Sequence, residues 1–255
     1  MVIQTVLNNP LASPGIIGVN AGAGFMTAMC GVLFPRAVTF IPLAAFIGAL
    51  TAVLFVYGIA KKAGASKMTL ILSGVAVGSL MTAGINTVTT LIPDALSGMH
   101  AFQTGGFAGV TTRILIPAGA FIIIATAAVI AFGGELEVLG LGESVALSLG
   151  LNVRFYRFLF LILAAALAGA AVSFAGLLGF VGLIVPHIAR MIVKGSKRLT
   201  LAVSALIGAS FLILCDTASR TLFAPFELPV GILISFLGVP FFLWILFRRV
   251  KERHG

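Results

Sequence analysis

The chain has 255 residues, 60% hydrophobic and 9% charged, with a mean hydropathy of +1.20 and a formal net charge of +9. Soluble domains carry roughly 25% charged residues, so this composition excludes a soluble globular enzyme, a disordered chain and a nucleic-acid-binding domain. It leaves a polytopic membrane protein, an all-α helical bundle whose spans each need about 20 apolar residues to cross a hydrocarbon layer of roughly 30 Å.

Met1-Val2-Ile3-Gln4-Thr5-Val6-Leu7 is apolar but too short to span. It lacks the basic region and cleavage site of a signal peptide and reads as the last turns of a helix. Asn8-Asn9-Pro10 and Ser13-Pro14-Gly15 then break that helix, so the first span is placed at 16–34. Gaps between charged residues place the next spans at 37–60, 68–92 and 114–132. The uncharged run 158–189 contains Gly176, Gly179, Gly182 and Pro186, and is divided into one span at 155–175 and a short one at 177–193. Spans at 199–223 and 228–247 bring the predicted number to eight, beside the N-terminal stub of a ninth. Gly18, Gly22 and Gly24 in the first span, and Gly74 and Gly78 in the third, suit close helix packing. Cys30 and Cys215 lie inside apolar runs and read as small hydrophobes rather than a disulfide pair.

Basic residues accumulate in cytoplasmic loops, and here 13 of the 16 fall on one set of alternate loops and the C-terminal tail: Lys61, Lys62, Lys67, Arg154, Arg157, Arg190, Lys194, Lys197, Arg198, Arg248, Arg249, Lys251 and Arg253. Arg36, Arg113 and Arg220 lie on the other face. Both termini are therefore predicted to be cytoplasmic. The positive charge is a topology signal rather than a sign of a nucleic-acid partner, and the tail cluster reads as an anchor to anionic membrane lipid.

The loop 133–153 holds three of the seven acidic residues although it lies on the basic side. Residues 143–149 fit about two turns of helix closed by Gly150. Leu139, Val145, Ala146 and Leu149 give that helix an apolar side. Interfacial helices usually carry basic polar faces, so this acidic one points to a protein partner. Asp216 and Arg220, four residues apart, share a helix face and can form a structural ion pair. Arg220 can equally snorkel outward toward a carboxylate on an external protein. Asn9-Pro10 is, by itself, a helix terminator. His187 follows Pro186 with no second ligand nearby, so no metal site is predicted. Glu227-Leu228-Pro229 reads as a helix start. No Ser/His, paired-Asp or His-Glu-x-x-His constellation occurs in the spans, so no catalytic residues and no cofactor are predicted. A secondary transporter or channel is the alternative function. It would want ionisable groups near the bilayer midplane, whereas the acidic residues here lie near helix ends or in loops, Asp216 being the nearest exception.

Gly142-Glu143-x-x-Ala146-x-x-x-Gly150 resembles the coupling-loop motif of permease subunits in bacterial ATP-binding-cassette importers. Asn9-Pro10-Leu11-Ala12-Ser13-Pro14-Gly15 with Gly18-Val19-Asn20-Ala21-Gly22-Ala23-Gly24 is similar to the FecCD permeases. So are Gly179-Phe180-Val181-Gly182-Leu183-Ile184-Val185-Pro186-His187-Ile188-Ala189-Arg190, and Asp216-x-x-x-Arg220 followed by Glu227-Leu228-Pro229-Val230-Gly231. The four segments keep family order over essentially the whole chain. The resemblance implies one transmembrane permease domain over 1–255 in the bacterial inner membrane, with the coupling loop at 133–153. The family has ten helices, so the resemblance also implies that the first helix and most of the second precede Met1 or are missing. It further implies a non-catalytic subunit importing an iron–siderophore, haem or cobalamin-like chelate. The implied partners are a cytoplasmic ATP-binding subunit, an extracytoplasmic substrate-binding protein and a second permease subunit. Glu143, Ala146 and Gly150 would couple to the ATPase, Arg220 would dock the binding protein, and Asn9, Pro10 and Leu11 would form a cytoplasmic gate. The helix start near Ser66 and Thr69 resembles a second gate element, from which Lys67 departs.

Overall fold

The computed structural model describes residues 1–34, 38–64, 66–92, 99–222 and 225–254. Arg36 and the side chains of the basic cluster at 248–253 lie outside that description. Among the described residues the secondary structure is helical, with no strand. The α-helices are α1 (Val2–Val6), α2 (Val19–Leu33), α3 (Ile41–Lys62), α4 (Lys67–Leu91), α5 (Met99–Thr104), α6 (Thr112–Ala131), α7 (Gly133–Gly140), α8 (Glu143–Ser148), α9 (Val153–Ala175), α10 (Val181–Ile192), α11 (Lys197–Thr221) and α12 (Val230–His254).

Five of them, α3, α4, α6, α9 and α11, are long and apolar enough to cross a membrane, and α2, α10 and the Val230–Leu243 part of α12 are shorter apolar helices. Each predicted span overlies one of these. The boundaries move where backbone chemistry intervenes. The segment at 16–34 opens with a 3-10 turn, Pro14–Ile17, closed by Gly18 at φ +81°, before α2 begins. The segment at 177–193 becomes helical only at Val181. Two short helices, α5 and α7, fall where the sequence predicts loops.

The bundle is built around α9, half of whose membrane-length window is buried. Its Phe160, Leu161, Ala164 and Ala165 pack with the Ala45, Ala49, Val53 and Val56 face of α3 in one core. Small residues permit that approach. A Cβ at Gly169 would lie 2.9 Å from Ala49 Cβ. The α2–α3 crossing is tighter still: a Cβ on Gly22 would collide with the Gly48 carbonyl, and one on Gly48 with the Gly22 carbonyl. By contrast, α6 and α11 bury little of their surface.

Three backbone hydrogen bonds join the broken segments. Leu177 N–H donates to the Phe102 carbonyl at 2.8 Å, Gly106 N–H to the Ala175 carbonyl at 2.8 Å, and Gly231 N–H to the Gly105 carbonyl at 3.2 Å. They tie α5 to the end of α9 and the start of α12. At the other end of the bundle the basic helix ends meet the acidic loop. Lys197 N–H approaches Glu137 Oε2 at 3.4 Å, and Glu143 feels the charges of Arg157, Lys67 and Arg154.

Gly48→Val should wedge α2 from α3 and cost about 1–3 kcal/mol, seen as a lower thermal midpoint of the purified protein. Gly58→Ala, on the same helix but with nothing within 4 Å of the added Cβ, should leave the midpoint unchanged or raise it by the roughly 1 kcal/mol that separates Gly from Ala in a helix.

Candidate functional site

The loop between α6 and α9 folds as a hairpin of two short helices. Gly142 at φ +113° sets the corner between α7 and α8, and Gly150 at φ +79° turns the chain back toward α9. Left-handed backbone of this kind favours glycine. Leu151 N–H donates to the Ala146 carbonyl at 3.0 Å and Ala146 N–H to the Gly142 carbonyl at 2.9 Å. Leu139 and Ala146 point into the core. Leu141, Val145, Leu147 and Leu149 are exposed. The apolar side read from the sequence therefore divides: Leu139 and Ala146 anchor the hairpin to its own bundle, while Val145 and Leu149 face outward with Leu141 and Leu147. Ala146 is fully buried against its own bundle.

Glu143 is also tied inward. Arg157 Nη2 donates to Glu143 Oε2 at 2.8 Å, with the arginine side chain 4% and the carboxylate 53% exposed. That hydrogen bond holds the Glu143 carboxyl below its ordinary pKa, with partial desolvation opposing it and the Arg157, Lys67 and Arg154 charges reinforcing it. Sequence reasoning placed Arg157 only in a charge count. The available signal was an arginine one turn into an apolar helix, a short loop away from an acidic one, because a buried guanidinium requires a partner.

The Asn9-Pro10-Leu11 loop is shaped by its own side chain. Leu11 N–H donates to Asn9 Oδ1 at 2.9 Å, forming an Asx turn, and Asn8 sits at φ +49°. Pro10 and Leu11 face Leu183, His187 and Arg190 of α10 and Gly238 and Phe241 of α12 across a gap of about 20 Å³. That gap is about the size of one water. His187 stacks edge-on against Phe241 with ring centroids 5.7 Å apart. Ser66 caps α4, its Oγ accepting from Thr69 N–H at 3.1 Å.

At the far end, Arg220 grips Asp216 with both forks, Nε to Oδ2 at 2.9 Å and Nη2 to Oδ1 at 3.3 Å. The guanidinium remains partly exposed and shares a small hollow with Glu227 and Pro229. The structure thus keeps Arg220 and the α7–α8 hairpin at opposite ends of the bundle. Between them lies an open cavity of about 700 Å³, whose polar lining comes from Asn20, Gln103, Thr104 and Ser235. A neighbouring cavity of about 380 Å³ shares Asn20 and Gly179 with it and is lined further by Gly182 and Leu183.

A sequence model of the FecCD transport family matches residues 1–248. The chain is 35% identical to the achromobactin transport system permease protein CbrC of Dickeya dadantii, over 100% of this chain and 73% of that one. It is 34% identical to the hemin transport system permease protein HmuU of Yersinia pestis, over 100% and 78%. It is 38% identical to the cobalamin import system permease protein BtuC of Halobacterium salinarum, over 96% and 66%. Among solved structures it superposes with TM-score 0.88 on an inward-facing conformation of a "metal-chelate type ABC transporter", at 26% identity, covering 96% of this chain and 80% of that one.

Because the folded-state pKa of Glu143 is depressed, its ion pair stabilises the hairpin at neutral pH. That contribution should vanish only as pH falls below about 4. At pH 7, Glu143→Gln should speed amide hydrogen exchange in α8 about fivefold, the equivalent of roughly 1 kcal/mol for a partly exposed charged hydrogen bond. Unchanged exchange would show that the pair does not hold the hairpin.

Proposed function

The chain belongs to the FecCD transport family, and we propose on that footing that it is the membrane permease subunit of an ATP-binding-cassette importer for a metal chelate of the iron–siderophore, haem or cobalamin kind. The observation that carries this reading is the α7–α8 hairpin. It is fixed to the bundle by Ala146 and the Glu143–Arg157 pair, and it presents Leu141, Leu147 and Leu149 outward. A small exposed apolar surface on a rigid, partly acidic loop is suited to a groove on a soluble subunit. Through it, nucleotide-driven motion of an ATPase would reach α9 and the core packed on it. Hydrolysis belongs to that separate subunit, and this chain supplies the path.

The positive charge bias supports a cytoplasmic hairpin and cytoplasmic termini. Arg220, at the opposite end, is then extracytoplasmic and available to a carboxylate on a substrate-binding protein. Asp216 pre-orients its guanidinium. The exposed face of α4 carries Ser79, Thr82, Asn86 and Thr90. Thr82 and Thr90 satisfy their hydroxyls on backbone carbonyls one turn earlier, at 2.8 Å each, but the Asn86 amide needs water or a partner. We assign this face to a water-filled pathway shared with a second permease subunit rather than to lipid. The Asn9-Pro10-Leu11 loop, closed against α10 and α12, is the gate at the cytoplasmic mouth. A secondary transporter gains nothing from the geometry, since Asp216, the acidic group deepest in a span, is already neutralised by Arg220.

Leu147→Glu with Leu149→Glu should reduce co-purification of the ATPase subunit at least about tenfold, the effect of roughly 1.4 kcal/mol, while the permease still accumulates in the membrane. Undiminished co-purification would remove the hairpin from the interface. Arg220→Glu should abolish binding-protein-stimulated ATPase activity, and a reversed charge on the binding protein should restore it. Full stimulation of the Arg220→Glu complex would exclude the docking role.

A further inference from the structure

Pro186 lies inside α10 and has no N–H, so the Gly182 carbonyl one turn earlier loses its helical donor. The structure supplies a replacement from another helix. Gln4 on α1, only 4% exposed, donates its Nε2 to the Gly182 carbonyl at 2.9 Å. Its Oε1 accepts from Arg190 Nη1 at 3.0 Å. The guanidinium can only donate and the carbonyl can only accept, so the two contacts fix the orientation of the amide. One side chain thus engages α10 on both sides of its proline, at residues eight apart in sequence.

We propose that Gln4 is a clasp that sets the geometry of α10 around Pro186, where the helix lacks one hydrogen bond, and locks α10 to the gate loop, making it a positioning residue for transport. Three observations converge. Gln4 is in α1, and its own carbonyl accepts from Asn9 N–H at 2.9 Å, so it is bonded directly to the first gate residue. The bonded carbonyl belongs to Gly182, which lines the cavity of about 380 Å³. The far contact, Arg190, borders the gap beneath Pro10 and Leu11. Movement of the gate loop is therefore transmitted to the cavity wall through one amide, and α1 and α10 move as a unit. A glutamine in an otherwise apolar turn is the sequence trace of this arrangement, since an unsatisfied amide there would be costly.

The inference rests on the importer reading, but its test does not depend on transport alone. Gln4→Met keeps the length of the side chain and removes both hydrogen bonds. Pro186→Ala returns an N–H to the Gly182 carbonyl and makes the clasp partly dispensable. In the full complex with ATPase and binding protein, Gln4→Met should lower ATP-driven uptake of radiolabelled ferric siderophore, haem or cobalamin, whichever the unsubstituted complex accumulates, about tenfold while ATPase activity stays within about twofold, and should speed hydrogen exchange across α10 about tenfold. In the Pro186→Ala background the same change should cost less than about threefold in both readouts. Equal losses in the two backgrounds, or exchange in α10 unmoved by Gln4→Met, would overturn the clasp. If Gln4→Met does not accumulate, Gln4→Glu, which keeps the acceptor for Arg190 and loses the donor for Gly182, is read in the same way. Accumulation restored by Pro186→Ala supports the clasp, and failure in both backgrounds counts against it. Absence of uptake by the unsubstituted complex would instead contradict the importer reading, leaving the exchange measurements to decide the clasp.

Discussion

The hydrocarbon of a bilayer offers no water to backbone N–H and C=O groups, so an interruption of a helix is tolerated only where the protein pairs it or where it lines a cavity. That constraint shapes the middle of this molecule. At about 1.5 Å per residue, the 12 residues of α10 cover only about three fifths of a roughly 30 Å layer, and residues 176–180 run as irregular chain within the bundle. Their partners are the carbonyl of Phe102 for Leu177 N–H and, next to it, Gly106 N–H for the Ala175 carbonyl. Gly176 at φ +67° permits the approach, because a Cβ there would strike the Phe102 carbonyl. The extra helix α5 and the two glycines that follow it supply these partners, and the cavities open beside them, with Gly179 on both walls. The donor missing at Pro186 within α10 is replaced by a side chain instead of backbone.

These features link into one mechanical account. On the proposed reading, force from an ATPase enters at Leu141, Leu147 and Leu149 and passes through the Glu143–Arg157 pair into α9. It spreads through the alanine-rich contact with α3 and the buried residues of α1, all part of one core. From α1, Gln4 carries it to α10 and the gate loop. The close helix crossings matter here because contacts this tight leave little slack. The same tightness leaves α4, α6 and α11 as the surfaces free to meet lipid or a second subunit, and α4 carries Ser79, Asn86 and Thr90 in a polar row on an exposed face.

Much of this was legible in the sequence. Gaps between charges located the apolar helices because hydrocarbon excludes ions at every position of a span. Gly142 and Gly150 framed α8 because their backbone conformations are ones that side chains disfavour. The resemblance to the FecCD permeases rested on motifs at helix ends, and the family comparisons agree with it. Less legible were the features that depend on tertiary partners. Helix α5 carries no periodic signal in six residues, and its role emerges only from what it bonds to. Residues 177–180 read as helix by composition, but the Leu177 N–H is bonded to the Phe102 carbonyl and the helix starts only at Val181. The sequence pattern put Leu139, Val145, Ala146 and Leu149 on one apolar side, whereas Leu139 and Ala146 are buried and Val145 and Leu149 are exposed with Leu141 and Leu147, because a two-turn helix presents apolar groups on both sides. Glu143 looked like an anchor for a partner and proves to be clamped by Arg157, a residue 14 positions away.

The most direct test of the importer account is ATP-dependent accumulation in sealed proteoliposomes holding this permease with its ATPase and binding-protein subunits, offered in turn radiolabelled ferric siderophore, haem and cobalamin. The account predicts that at least one chelate accumulates only with ATP and the binding protein present, and that a sodium or proton gradient cannot replace ATP. Accumulation driven by an ion gradient without the ATPase would contradict it, as would failure to accumulate any of the three.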